Sequence, residues 1–131
     1  MELYNYLYVG TANKSEWLTG FFVKYGDSIA DIQPLLNLYK TQIFKIAKDF
    51  NLPEHLISKM PSPDLIPGLN DKDFINLSYK ELDLILACLE NNYTYYKIAE
   101  LAETSIKAVE RVVKIMNKSE WQRLQPISLK I

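Results

Sequence analysis

The sequence predicts an α/β protein with one N-terminal strand followed by about six helices. Three observations predict it. Residues 2–10 alternate with period two: Leu3, Asn5, Leu7 and Val9 fall on one face, Tyr4, Tyr6 and Tyr8 on the other. From residue 14 onward the apolar residues recur instead at helical spacing. Finally, a lone strand cannot satisfy its own backbone N–H and C=O groups. The pattern therefore reads as the tail of a parallel α/β sheet. The other strands would lie in a missing N-terminal part, a second polypeptide or a symmetry mate.

Each element has its own signal. Both faces of the strand are apolar or aromatic, which suits a strand covered on both sides. Asn13 or Ser15 caps a helix over about 14–22. A loop follows over about 23–34. Leu35, Leu36, Leu38, Tyr39, Ile43, Ile46, Ala47 and Phe50 then define an amphipathic helix over about 36–50. Asn51 ends it, and Pro53 starts a short helix to about Lys59. Pro61, Pro63, Pro67 and Gly68 mark a long loop over residues 60–76, and loops of that length are usually functional or disordered. Ser78 and Glu81 form a capping box for a helix to about Glu90, which Asn91-Asn92 break. Tyr95 to Ala102 is a short helix. Thr104 or Ser105 caps the last one, which runs to about Leu124, before Pro126. There is no internal repeat or low-complexity segment, so residues 1–131 read as one partial domain.

Composition excludes several classes. The 131 residues are 48% hydrophobic and 24% charged, as in ordinary globular proteins. A net charge of −1 gives no basic field for nucleic acid or a membrane surface. The single cysteine, Cys88, has no internal disulfide partner, which fits a reducing compartment. No apolar run approaches the ~18 residues of a membrane span, and the N-terminus lacks the basic start of a signal peptide. The expected location is the cytoplasm.

The chemistry concentrates in residues 10–27. Gly10-Thr11-Ala12-Asn13-Lys14-Ser15-Glu16 ends the strand and opens the helix; Thr19-Gly20 and Lys24-Tyr25-Gly26-Asp27 follow. Strand–turn–helix junctions bind nucleotides in α/β proteins because free N–H groups and the positive helix end face the ligand. This one adds a hydroxyl, an amide, a carboxylate and a lysine. Taken singly, these residues have plainer readings: the turn as a helix cap, Glu16 as a partner of the helix dipole, Lys40 as a solvated helix residue. His55 has no Cys or carboxylate cluster around it and reads as structural. Cys88, within Leu84-Ile85-Leu86-Ala87-Cys88-Leu89, reads as core.

Taken together, the ordered run GTANKSE, TGFFVKYGD, Asp31, LYKTQ, KMPSPDL, PGLND and LSYKELD resembles ammonia-dependent NAD synthetases. These are dimeric Rossmann-like enzymes of the ATP pyrophosphatase group. The match is dense over residues 7–83, weak over 84–118, and returns at Ser119-Glu120 and Arg123. The resemblance implies a ligase. ATP adenylylates the carboxylate of deamido-NAD with release of pyrophosphate, and ammonia then displaces AMP. Residue by residue, it implies ATP contacts at Thr11, Lys40 and Ser62, a magnesium ligand at Glu16, and deamido-NAD contacts at Lys24 and Asp31, with Asp27 in the same loop. It also implies ATP as co-substrate, Mg2+, and a homodimer.

The sequence departs from the family in specific places. There is no S-G-G-x-D-S phosphate loop. Ser28-Ile29 stand where two glycines are usual, and Lys72 where an acidic residue is common. Trp121-Gln122 replace a His-Lys pair that contacts deamido-NAD. The resemblance thus expects the mostly helical C-terminal part of a synthetase, with the phosphate loop on an N-terminal half or a separate chain. Alone, such a chain is incomplete and inactive.

Two other readings come from the residues. One is a catalytically inactive fragment that dimerises or binds a partner. The other is a helix-turn-helix over residues 96–114, with Ala99, Ile106 and Val109 at packing positions and Lys107, Arg111 and Lys114 on the second helix. Against DNA binding, the turn lacks glycine, the domain is not basic, and acids at 100, 103 and 110 flank the face.

Overall fold

A computed structural model describes residues 6–59 and 76–124. Six α-helices occur among them: α1 (Lys14–Thr19), α2 (Lys40–Asp49), α3 (Glu54–Ile57), α4 (Tyr79–Glu90), α5 (Tyr95–Leu101) and α6 (Ile106–Arg123). A 3-10 turn spans Asp27–Ile29. The long loop, Asn76 apart, lies outside the described residues.

The caps explain most boundaries. Ser78 and Glu81 form the expected box at α4: the Ser78 N–H donates to Glu81 at 2.8 Å and the Glu81 N–H to Ser78 Oγ at 3.3 Å. Ser105 Oγ accepts from Ala108 N at the start of α6. Helix α1 stops at Thr19 rather than near 22, because Gly20 turns left-handed (φ 72°) and its N–H caps the carbonyls of Glu16 and Trp17. Helix α2 begins at Lys40 rather than 36; residues 34–37 are turns. Its first donors are met by residues far away in sequence, as described below.

The core joins α4, α5 and α6. Leu82, Ile85, Leu86 and Cys88 from α4 meet Ile98, Ala99 and Ala102 from the α5 region, and Val109 and Val112 from α6. The α4 positions repeat at three and four residues, so one face of that helix is buried. Deleting one such side chain, as in Ile85→Ala, costs ~2–5 kcal/mol. Helix α1 packs on α4 and α6, α2 on α4, and α3 on α2. Cys88 is core, as expected.

The expected N-terminal strand is not seen as a strand among the described residues. Val9 makes one parallel bridge to Ile32. It is held by bonds from Gly10 N to the Ile32 carbonyl (2.8 Å) and from the Asp31 and Ile32 N–H groups to the Tyr8 carbonyl (2.9 and 3.1 Å). A single bridge is not a ladder, and residues 1–5 lie outside the described residues. Nor is this segment covered on both sides: Tyr6, Leu7, Tyr8 and Val9 are all exposed. The described residues are therefore mostly helical.

Candidate functional site

Helix α1 opens at a capping box whose geometry aims a carboxylate. Asn13 Oδ1 accepts from the Glu16 N–H at 3.1 Å, and Glu16 Oε2 accepts from the Asn13 N–H at 3.2 Å. One oxygen of Glu16 is thus committed to the turn. The other, Oε1, meets Lys40 Nζ at 3.2 Å, and both side chains are about one-fifth exposed. The Lys40 ammonium also lies 5.7 Å from the centroid of the Tyr79 ring, within cation–π range. The fold therefore joins two predicted ligand residues that are 24 apart in sequence.

Beneath this pair lies a buried polar group. Asp83, only 4% exposed, accepts at Oδ1 from the hydroxyl of Ser15 (2.5 Å) and at Oδ2 from the Thr41 N–H (2.8 Å). Ser15, fully buried, in turn accepts from the Lys40 N–H at 2.9 Å. The first two N–H groups of α2 are thus satisfied by α1 and α4. Helix starts leave such donors unmet by the helix itself, so this arrangement fixes where α2 begins.

The bonds of Lys24, Asp27 and Asp31 go to partners outside this pair. Thr11 is exposed on the turn before α1. Asp31 Oδ2 accepts from the Tyr8 N–H at 2.7 Å, so its carboxylate holds the N-terminal segment. Asp27 Oδ2 accepts from the Val23 N–H at 2.7 Å and closes its own turn. Lys24 donates to the carbonyls of Trp121 (2.8 Å) and Leu124 (3.0 Å), with its ammonium 5.2 Å from the Trp121 ring centroid. Ser62 lies outside the described residues.

A second polar cluster flanks α1 and α4. Glu90 Oε2 accepts from Lys14 Nζ (2.7 Å) and from the Tyr39 hydroxyl (2.6 Å). Burial pushes the Glu90 carboxyl up, but hydrogen bonds from Lys14 and Tyr39 and the Lys14 charge outweigh it and hold the carboxyl below its usual value. Burial first, then the bond to Glu90, pushes the Tyr39 phenol well above its usual value.

Sequence reasoning missed Ser15 and Tyr79 as partners of Lys40, and Asp83, which holds Ser15 and the Thr41 N–H. Asp83 had a signal: it is an acid inside the apolar run Leu82-Asp83-Leu84-Ile85-Leu86. Charged residues are rarely buried unless paired.

The NAD synthase family matches residues 2–126, nearly the whole chain. The chain belongs to the NAD synthase family. It is 49% identical over 122 residues to an NH(3)-dependent NAD(+) synthetase of Thermotoga maritima, covering 93% of this chain and 41% of that protein. It is 41% identical over 128 residues to one from Thermococcus sibiricus, covering 97% and 50%. Among solved structures, an NMN synthetase from Francisella tularensis superposes with a TM-score of 0.80 at 32% identity, covering 99% of this chain and 49% of that one. An NH3-dependent NAD synthetase from Campylobacter jejuni, solved with nitrate, gives 0.74 at 29%, covering 98% and 47%. The chain thus spans about half the length of the relatives and structures it matches. Their structural likeness extends over nearly all of it. No helix among the described residues is long and apolar enough to cross a membrane.

Proposed function

We propose that this chain is the C-terminal portion of an ammonia-dependent NAD synthetase, with the phosphate loop on another segment or chain. The reaction is ATP-dependent amidation of deamido-NAD. A carboxylate is a poor electrophile, and adenylylation turns one of its oxygens into a leaving group that ammonia displaces as AMP. The Glu16–Lys40 pair carries this reading. The resemblance assigns these two residues to magnesium and ATP, and their side chains meet at 3.2 Å.

The donor set suits a shared metal site. Hard cations take oxygen ligands, and magnesium is commonly held by one or two carboxylates plus substrate phosphates. Glu16 offers one carboxylate oxygen, already facing a cation. The remaining ligands would come from substrate phosphates and the other half. A magnesium ion held there would neutralise phosphate charge. Lys40 would turn its ammonium from Glu16 to the phosphates, with Thr11 and Ser62 as further ATP contacts. Lys24 and Asp31 would bind deamido-NAD, and the working unit would be a homodimer. Catalysis is then largely placement and charge neutralisation.

The test is to supply a half carrying the S-G-G-x-D-S loop and to measure NAD formation from deamido-NAD, ATP and ammonia. The carboxylate counterpart of NMN is assayed alongside, because one structural neighbour is an NMN synthetase. Turnover that disappears in Glu16→Ala, with the circular dichroism of the chain unchanged, supports the reading. Normal turnover in that variant removes the metal assignment. No turnover with either substrate favours an inactive partner-binding fragment.

A further inference from the structure

We propose that Asp83 is a positioning residue: with Ser15 it fixes the first turn of α2 against α1, and so sets where Lys40 presents its ammonium relative to Glu16. The inference deepens the ATP-site reading above and rests on it only for the consequence to ATP.

The bonds close into a ring. Asp83 accepts from the Ser15 hydroxyl and the Thr41 N–H. Donating to Asp83 turns the Ser15 oxygen lone pairs toward the Lys40 N–H, which they accept. Ser15 precedes Glu16 on α1, and Glu16 returns through its side chain to Lys40 Nζ. Backbone and side chain of Lys40 are thus referenced to the same turn of α1, one through Ser15 and the other through Glu16. If the ammonium leaves Glu16 for a phosphate, the backbone ties stay in place, and the side chain pivots about a fixed point.

The charge on Asp83 argues for placement over stability. Its hydrogen-bond partners are a hydroxyl and an N–H group. No ion pair to it occurs among the described residues. The positive end of the ten-residue α2 supplies the compensating field. A buried carboxylate held this way is costly compared with an apolar residue of similar size. Geometrically, it gives two acceptors at a set spacing, one for Thr41 and one for the hydroxyl that serves Lys40. At the cap position the Tyr39 N–H donates to Gln42 Oε1 at 2.9 Å, which leaves the Lys40 and Thr41 N–H groups to Ser15 and Asp83.

The experiment is amide hydrogen exchange, read residue by residue on the whole chain, wild type against Asp83→Asn. The first N–H groups of a helix normally exchange freely because they lack intrahelical partners. Protection at Lys40 and Thr41 is therefore a direct signature of the ring. In Asp83→Asn, exchange at these two amides is expected to accelerate about tenfold relative to Leu86 and Val112 in the core. A merely structural role would speed all four together, and that result overturns the proposal. If Asp83→Asn does not fold, Ser15→Ala takes its place. It should release Lys40 more than Thr41, and equal release or none overturns the proposal.

A second arm separates the two readings. With the phosphate-loop half supplied, Asp83→Asn should raise KM for ATP about tenfold with a smaller change in kcat. It should add little to the KM effect of Lys40→Ala, since both act through one group. Additive effects overturn the placement. Selective release of Lys40 and Thr41 without ATP binding by the wild type overturns the ATP reading and leaves the placement standing.

Discussion

Arg123 and Lys24 each close the helix that the other follows or ends. Arg123, the last residue of α6, donates through Nη1 to the carbonyls of Trp17 (3.2 Å) and Leu18 (2.9 Å) at the end of α1. Lys24, just past α1, donates to the carbonyls of Trp121 and Leu124 at the end of α6. Cations at helix C-termini also meet the negative end of the dipole. Arg123 further donates to Ser119 Oγ and the Met116 carbonyl, both at 2.9 Å. Arg123→Ala is expected to destabilise the chain by about 2 kcal/mol, since hydrogen bonds from a charged donor are the stronger kind. Arg123→Lys should recover only part, because an ammonium lacks the planar fork. Lys24→Met should cost less than Arg123→Ala. Urea midpoints of the three variants check the order, and equal losses would contradict it.

Among the described glycines, Gly20 is the least tolerant of a side chain. Its φ of 72° is left-handed, and a Cβ there would lie 2.1 Å from the Cβ of Ser119 and 2.6 Å from Gln122 Oε1. Gly20→Ala is expected to cost about 3 kcal/mol or more, combining the backbone penalty with overpacking of α1 on α6. Gly26 is the control. Its φ is −115°, and a Cβ would meet Val23 Cβ at 3.3 Å. Gly26→Ala should cost under about 1 kcal/mol. Thermal melts of both variants check the contrast.

The Lys14–Glu90–Tyr39 cluster predicts loss of stability at both ends of the pH scale. Glu90 is held below its usual value in the folded chain. Its contribution is present above the ordinary carboxyl pKa and is lost as pH falls through the lower, folded value. Tyr39 is held above its usual value. Its contribution is full below the ordinary phenol pKa near 10 and fades as pH rises beyond it. Glu90→Gln should flatten the acid limb and weaken the alkaline one. Chemical denaturation from acid to strongly alkaline pH reads both limbs, and unchanged limbs in the variant would refute the assignment.

Helices α5 and α6 should not bind duplex DNA. The expected packing positions Ala99 and Val109 are buried in the core shared with α4, and Ile106 packs against it. The exposed residues of α6 mix signs, Lys107, Arg111, Lys114 and Lys118 with Glu110 and Glu120, and with exposed Lys97, Glu100 and Glu103 before them these exposed charges net only +1. Specific and non-specific binding both need a net basic footprint. Titration with mixed duplex DNA at low salt should give no binding. Micromolar, salt-sensitive binding would revive the helix-turn-helix reading.

Local signals were legible and long-range ones were not. The Ser78–Glu81 box and the Ser105 cap, one of the two expected there with Thr104, are short-range codes, and each marked its element. The start of α2 was missed by four residues because its donors are met by Ser15 and Asp83, 25 and 42 residues from the amides they hold. The one local sign is Gln42, whose side chain caps the Tyr39 N–H three residues before it. The N-terminal segment shows the other limit: alternation at Leu7 and Val9 describes a capacity to pair, and only one bridge forms among the described residues. Of the site, Glu16 and Lys40 were named by resemblance, but their contact, and the carboxylate beneath it, belong to three-dimensional packing.

Cys88 gives the molecule a built-in clock. It is the single cysteine of the chain, and it is 6% exposed on the buried face of α4. A thiol reagent can react only when that face is uncovered. The labelling rate of the unmodified chain therefore times how often the helical core comes apart, with no engineered probe. The same reading, taken with and without a candidate partner half, would report how strongly assembly holds these helices closed.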